Sequence, residues 1–198
     1  MARLLPSATA YHQPKTLTEL DRLLGTYTTR DNPEIRPLLL LAGGTSLAFS
    51  RPDATTVIDL TDLPIKGCSC DPDGAVRMGA VTTIGDMERD PMISAFCGGI
   101  LRQATDTLAS TPLRNLITIG GNIAAGYAWC DLPVVLLALD AQYELFPSGT
   151  IHNLPQDGSI PFRRLTGPGE VILQVILNAR FAAARGAFID FARTSTDL

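Results

Sequence analysis

The chain has 198 residues, of which 45% are hydrophobic and 18% are charged. This composition is typical of a folded globular protein and excludes a disordered one. Its 16 basic and 20 acidic residues give a formal net charge of −4 without a basic cluster, so the sequence does not predict nucleic-acid binding. The longest apolar segment, 133–139, is too short to cross a membrane.

The N-terminus and the cysteines favour a cytoplasmic protein. No apolar stretch of signal-peptide length follows Met1, and the 4 cysteines are scattered, as expected for free thiols in a reducing compartment. Cys68 and Cys70 are spaced more tightly than a usual zinc pair, and neither His12 nor His152 lies near a cysteine in the sequence. We therefore expect no metal or iron–sulfur site in this chain.

The first 60 residues predict a small α/β unit. Thr16-Leu17-Thr18-Glu19 is a capping box that begins a helix, and Gly25 is expected to end that helix. Leucines every three or four residues give the helix one apolar face. Segments 37–41 and 57–60 are short apolar runs typical of buried strands.

The rest of the chain predicts a mixture of strands and helices. A turn at 70–74, rich in Asp, Pro and Gly, is expected to join two strands as a hairpin. Strands are also expected at 141–146 and 170–177, joined by a loop rich in glycine and proline. The predicted helices are a short one begun by a capping box at 83–86, an amphipathic one over 99–110, and a buried one over 132–139 capped by Asp131.

Two glycine-rich segments, roughly 75 residues apart, carry the functional signal. They are Ala42-Gly43-Gly44-Thr45-Ser46-Leu47 and Thr118-Ile119-Gly120-Gly121-Asn122-Ile123-Ala124. Glycine tolerates positive φ and lets backbone N–H groups approach an anion closely, so each segment suits a tight turn around a phosphate. Two such turns predict one extended ligand held from two sides.

These segments and the residues between them resemble the flavin-binding subunit or domain of the molybdenum hydroxylases, the group that includes xanthine dehydrogenase and carbon monoxide dehydrogenase. The resemblance runs from about Tyr11 to Leu177 and rests on A-G-G-T-S-L, V-I-D-L-T-D-L-P, M-G-A-V-T-T-I, R-N-L-I-T-I-G-G-N-I-A and D-L-P-V-V-L-L-A-L-D-A. It implies an α+β fold of the PCMH type, like that of vanillyl-alcohol oxidase, with FAD as cofactor. The implied division is a small subdomain over 1–60, a larger one over 61–180 and a tail over 181–198.

The resemblance also implies which residues bind FAD. The first segment would wrap the pyrophosphate with its N–H groups, and the second would pass along the flavin, with Asn122 supplying a hydrogen bond. Asp131 would accept hydrogen bonds from ribose or ribityl hydroxyls, and Ile172 would lie beside the adenine. From the residues alone, Asp131 is equally a helix cap and Ile172 a core residue. The implied set is Ala42, Gly43, Gly44, Thr45, Ser46, Leu47, Thr118, Ile119, Gly120, Gly121, Asn122, Asp131 and Ile172.

Some positions depart from the family or have a structural interpretation. Many members carry a small hydroxyl residue and a Ser-Pro pair where this chain has 125–128, so Tyr127 either stacks near the flavin or simply packs. Arg114 and Asn115 are expected to brace their loop by binding backbone carbonyls. Family members continue for roughly another 100 residues, the size of a small domain, and we expect that C-terminal domain to be missing here.

The implied function is electron transfer. A molybdenum-cofactor subunit would oxidise the organic substrate, a [2Fe–2S] iron–sulfur subunit would pass electrons to FAD, and NAD or another acceptor would receive them. No catalytic side chain is implied, because the cofactor performs the chemistry. Two alternatives stay open: a truncated scaffold subunit of such a complex, and a stand-alone flavoenzyme of the same wider fold.

Overall fold

The computed structural model describes residues 8–28, 38–47, 54–106, 108–127, 130–154, 166 and 169–190. Within these ranges the chain forms two separate sheets and a set of short helices. This is the α+β class expected from the sequence. No helix in these ranges combines the length and apolar character that crossing a membrane requires.

The smaller sheet has three parallel strands in the order β1-β3-β2. Helix α1 follows β1 and buries its leucines, Leu20, Leu23 and Leu24, in the core. Apolar strands covered by a helix are what the sequence predicted for this region. The elements are β1 (Ala10–His12), α1 (Leu17–Thr28), β2 (Leu38–Leu41) and β3 (Thr56–Asp59).

Helix α1 begins where the sequence predicted but ends later. The Thr16 hydroxyl accepts a hydrogen bond from the Glu19 amide at 3.1 Å, which confirms the cap. The expected end at Gly25 is wrong, because α1 continues to Thr28. Tyr27 packs against the core and its hydroxyl lies 2.8 Å from His12 Nε2. These contacts outweigh the modest helix-breaking tendency of one glycine.

The larger sheet has five antiparallel strands in the order β4-β5-β8-β6-β7. The hairpin predicted at 70–74 is confirmed, with the Gly74 amide donating to the Asp71 carbonyl at 2.9 Å. Strand β7 was not predicted, because its three residues are all exposed and carry no alternating pattern. The strands are β4 (Cys68–Cys70), β5 (Val76–Gly79), β6 (Gln142–Phe146), β7 (Ile151–Asn153) and β8 (Val171–Leu177).

Six short α-helices and one 3-10 helix, Phe96–Gly99, lie between β5 and β6 in the sequence of the described residues. Three of the α-helices, α2, α4 and α7, lie where helices were predicted, but α4 ends at Asp106 and the predicted continuation to Ser110 is wrong, since 108–110 are not helical. The other three, α3, α5 and α6, have at most seven residues and too little periodicity to predict. The helices are α2 (Ile84–Arg89), α3 (Pro91–Ala95), α4 (Ile100–Asp106), α5 (Thr111–Arg114), α6 (Ile119–Ala125) and α7 (Asp131–Ala138).

One apolar cluster connects the two sheets. Leu20 of α1 and Ile58 of β3 belong to the same buried cluster as Met78 of β5 and Val175 of β8. The side chains of all four are fully buried. The two sheets lie on either side of residue 60 in the sequence, but they share one hydrophobic core. The division into two subdomains at residue 60 therefore stays a prediction.

The start of α2 is held by a dense set of polar contacts around Asp86. The Thr83 hydroxyl accepts from the Asp86 amide at 3.0 Å, and the Asp86 carboxylate accepts from the Thr83 amide at 3.2 Å, which confirms the predicted capping box. Lys66 Nζ and Arg89 lie 2.9 and 3.0 Å from the two carboxylate oxygens. Burial alone would raise the pKa of Asp86, but the bonds from Lys66 and Thr83 outweigh it and lower the pKa to about 2.

Replacing Asp86→Asn should lower the free energy of unfolding by about 1–2 kcal/mol at pH 7, because it weakens a helix cap and removes the charge that holds Lys66. An aspartate whose pKa is lowered on folding stabilises the protein above its unfolded pKa of about 3.9 and loses that contribution as the pH falls toward the folded value. Urea unfolding should therefore show a smaller difference between wild type and variant at pH 3 than at pH 7.

The matched control is Asp21→Asn, which makes the same change on an exposed face of α1. It should alter stability by less than about 0.5 kcal/mol at both pH values. An Asp86→Asn effect that is equal at pH 3 and pH 7 would show that the charge of Asp86 is not what stabilises the cap.

Candidate functional site

The first glycine segment leaves β2 and turns at Gly44. Gly44 has a φ of +69°, a conformation that favours glycine, and the Leu47 amide donates to the Gly44 carbonyl at 3.2 Å. Just before the turn, the Leu60 amide donates to the Leu41 carbonyl at 2.7 Å and anchors the end of β2. The tight turn predicted for this segment is confirmed.

The turn presents backbone N–H groups in succession. In the part of the chain that the structure describes, the amides of Gly43, Gly44 and Thr45 make no hydrogen bond. Consecutive amides around a residue of positive φ form a concave group of donors that suits an anion. These residues are partly accessible, so the donors are available to a ligand.

The second glycine segment is a helix start, and the expected turn of positive φ is wrong. Thr118 is the N-cap of α6, with its hydroxyl accepting from the Gly121 amide at 3.2 Å. The Asn122 amide donates to the Thr118 carbonyl, and the Gly120 amide donates to the Ala80 carbonyl at 2.9 Å. Because these donors are already used within the fold, this segment does not offer an amide cradle as the first one does.

Glycine is needed in the second segment for close packing. A Cβ on Gly120 would lie 2.7 Å from Ala80 Cβ, and one on Gly121 would lie 2.7 Å from the Thr118 hydroxyl oxygen. Neither glycine has a positive φ. The two residues thus let α6 sit directly on the end of β5 and on its own cap.

The two segments lie next to each other in space. A Cβ on Gly43 would overlap the carbonyl oxygen of Leu116, two residues before Thr118. The Tyr127 hydroxyl lies 3.4 Å from the Ser46 carbonyl oxygen, a contact between residues 81 positions apart. The backbone of one segment therefore packs against the loop that leads into the other.

Asn122, in the second segment, carries a side-chain acceptor that lacks a donor. Its Nδ2 lies 3.7 Å from the Cys130 sulfur. Its Oδ1 is buried and has no hydrogen-bond partner among the described residues. An unpaired buried acceptor costs free energy unless a ligand supplies a donor. Sequence reasoning identified Asn122 but not Cys130, because a lone cysteine carries no pattern.

Asp131 is the first residue of α7 and does not cap it, so the expected capping role is wrong. The cap position is Cys130, which makes no side-chain cap bond, because the helix begins one residue earlier than predicted. The Asp131 carboxylate is half-buried and makes no hydrogen bond or ion pair in the described ranges. Burial, and then the nearby charge of Asp190, raises the pKa of Asp131.

Ile172, the predicted neighbour of the adenine, lies in the larger sheet. Ile172 is buried in the core on β8, paired with Leu145, and belongs to the same apolar cluster as Ile119 and Ile123 of the second segment. Hydrogen bonds also link β8 to that segment through Ala80, whose amide donates to the Leu173 carbonyl and whose carbonyl accepts from Gly120. The role of Ile172 beside an adenine stays a prediction.

The bracing expected of Arg114 is confirmed and that of Asn115 is wrong. Arg114 donates to the carbonyls of Leu108 and Ala109 and lies 3.0 Å from the Glu88 carboxylate. Asn115 instead accepts a hydrogen bond from Arg89 through its side-chain oxygen at 3.3 Å. Both residues thereby tie the loop before the second segment to α2 and to the end of α4.

Comparison with known proteins decides the family. The model for the FAD binding domain in molybdopterin dehydrogenase matches residues 7–177. The chain belongs to this family. It is 30% identical over 170 residues to a putative xanthine dehydrogenase FAD-binding subunit of Escherichia coli K12, and 29% identical over 191 residues to the carbon monoxide dehydrogenase medium chain of Hydrogenophaga pseudoflava.

A solved structure supports the fold. The carbon monoxide dehydrogenase of Hydrogenophaga pseudoflava that lacks the Mo-pyranopterin moiety superposes with a TM-score of 0.79 at 30% identity, over 96% of this chain and 66% of that one. The two matches in sequence cover 83% and 92% of this chain. They cover 53% and 63% of the relatives, so the chain spans between half and two thirds of their length.

The donors and acceptors at the junction fit the family's cofactor, which is FAD. Unused amides at 43–45 suit a pyrophosphate, and the unpaired oxygens of Asn122 and Asp131 suit hydroxyl or ring N–H donors. In the described ranges no group of three His, Cys, Asp or Glu residues is arranged to hold a metal ion.

Gly43→Ala should destabilise the FAD-binding domain by about 2–3 kcal/mol, because the new Cβ meets a backbone carbonyl that cannot rotate away. Gly25→Ala is the matched control. Within the described ranges no atom lies within 4 Å of its added Cβ, and the residue is inside α1, so the substitution should stabilise the chain by about 0.5–1 kcal/mol. Thermal unfolding measures both. Equal effects of the two substitutions would show that the junction does not need glycine at 43.

Proposed function

We propose that this chain is the FAD-holding part of an electron-transfer subunit in a molybdenum-containing hydroxylase or dehydrogenase. A molybdenum-cofactor subunit would oxidise the substrate, a [2Fe–2S] subunit would deliver electrons, and NAD or another acceptor would receive them. The observation that carries the proposal is the packing of the 43–46 turn against the chain around α6. Among the described residues, the amides at 43–45 on one side and Asn122 Oδ1 and the Asp131 carboxylate on the other make no hydrogen bond.

In this proposal each group of residues has a separate task. The amides of Gly43, Gly44 and Thr45 hold the FAD pyrophosphate without adding a side-chain cation, which suits a chain of net charge −4. Asn122 Oδ1 accepts one hydrogen bond from the cofactor, and the Asp131 carboxylate accepts from sugar hydroxyls. Bound FAD supplies the ability to exchange electrons singly or in pairs, and the protein orients it.

The support from relatives is consistent with this assignment. The names of the matched proteins are those of a FAD-binding subunit and of a dehydrogenase medium chain. A dehydrogenase complex subunit of Paenarthrobacter nicotinovorans, whose name refers to 6-hydroxypseudooxynicotine, is 31% identical over 172 residues. These names refer to different substrates. Such variety is expected if this chain binds only the cofactor that the relatives share.

The purified chain should bind FAD at a ratio of about one per chain, measured by quenching of flavin fluorescence during titration. Asp131→Asn should weaken binding roughly 10-fold, because a hydrogen bond to a charged acceptor is worth about 1.5–3 kcal/mol and an amide oxygen is a weaker acceptor. Asp21→Asn, an exposed change of the same kind, should leave the Kd unchanged. If the chain retains no flavin after excess FAD has been added and the unbound FAD removed, that result would contradict the proposal and favour a scaffold role.

The wild-type affinity should also depend on pH. The ionised Asp131 carboxylate accepts hydrogen bonds, and a proton competes with them. The affinity for FAD should therefore be highest above the pKa of Asp131 and should fall as the pH drops through that pKa. Because burial raises that pKa, the fall should begin at a higher pH than for an ordinary aspartate. Titrations from pH 4 to 8 should show this step in wild type and not in Asp131→Asn.

A further inference from the structure

Tyr127 connects the two glycine segments through its hydroxyl. It directly follows Gly126, whose φ of 59° turns the chain out of α6, with the Gly126 amide donating to the Ile123 carbonyl at 3.1 Å. The Cys130 amide then donates to the Tyr127 carbonyl at 3.1 Å. Both sides of the tyrosine backbone are thus fixed, which sets the direction of its side chain.

The phenol reaches the turn that carries the unused amides. Its hydroxyl lies 3.4 Å from the Ser46 carbonyl, a long contact between two half-buried groups. The peptide between Ser46 and Leu47 is held on its other side by the bond from the Leu47 amide to the Gly44 carbonyl. The orientation of this peptide therefore depends on a residue 81 positions away.

Two contacts between described residues join the first segment to the chain around α6. At its beginning Gly43 packs against the Leu116 carbonyl, and at its end Ser46 contacts Tyr127. Leu47, buried with Leu41 and Val57, anchors the same segment to the smaller sheet. The first two contacts lie on the chain around α6, which also carries Asn122.

We propose that Tyr127 is a positioning residue that fixes the 43–45 amides relative to Asn122 and Asp131. The inference rests on the proposed FAD-binding function. It adds to that function a residue that fixes the position of the first glycine segment relative to the second. Tyr127 acts on the protein backbone through the Ser46 carbonyl, so its effect should be present before FAD binds. Without the phenol hydroxyl, the turn keeps its Gly43 contact but loses the contact between Ser46 and Tyr127.

The test uses Tyr127→Phe, which removes one oxygen and keeps the ring. Hydrogen exchange of the apo chain should show the Leu47 amide, which donates to the Gly44 carbonyl, exchanging roughly 3- to 10-fold faster, the range expected for one net hydrogen bond. The FAD Kd should rise by a similar factor, with the thermal midpoint of the apo chain nearly unchanged. Tyr27→Phe is the control, because it removes a phenol that bonds His12 in the smaller sheet, and it should affect neither readout.

The outcomes separate this inference from the function on which it rests. A wild-type chain that fails to bind FAD overturns the proposed function and the positioning role with it. Wild-type binding with a Tyr127→Phe Kd within twofold of the wild-type value overturns the positioning role alone. Faster exchange spread over the whole chain, with a lowered midpoint, also overturns it, because that result marks a general loss of stability rather than a released turn.

Discussion

The site depends on the contact between the Gly43 backbone and the Leu116 carbonyl. No side chain larger than a hydrogen fits there, since even a Cβ would overlap the oxygen. The contact brings the end of β2 in the smaller sheet against the loop before α6 in the larger unit. The same turn carries the amides at 43–45, which make no hydrogen bond to the described residues, and the Ser46 carbonyl that contacts Tyr127.

The second unit is held in place by buried polar contacts behind the junction. Ile84, at the start of α2, donates its amide to the Ile117 carbonyl at 2.9 Å, and the Asp86 capping box fixes that start. Arg114 donates hydrogen bonds to the carbonyls of Leu108 and Ala109 and forms an ion pair with Glu88. Since these groups are largely satisfied, the loop before α6 is a firm surface against which the first segment can pack.

Sequence reasoning succeeded where chemistry is local. Capping boxes at Thr16 and Thr83, the hairpin turn and the apolar strands depend on neighbouring residues, and the structure contains them. It failed where contacts with residues distant in the sequence determine the structure. Gly25 did not end α1 because Tyr27 finds a partner in β1, and Gly120 proved to be a packing residue because Ala80 lies against it. Asn122 could be chosen by its family motif, but its unpaired oxygen could be found only in three dimensions.

The shared core of the two sheets bears on how a cofactor could be loaded. Side chains of α1 and β3 are buried in one cluster with those of β5 and β8, so hinging one sheet against the other would expose apolar surface. A cofactor would therefore meet two sheets that already pack against each other, and little ordering entropy would be spent in fixing one sheet relative to the other.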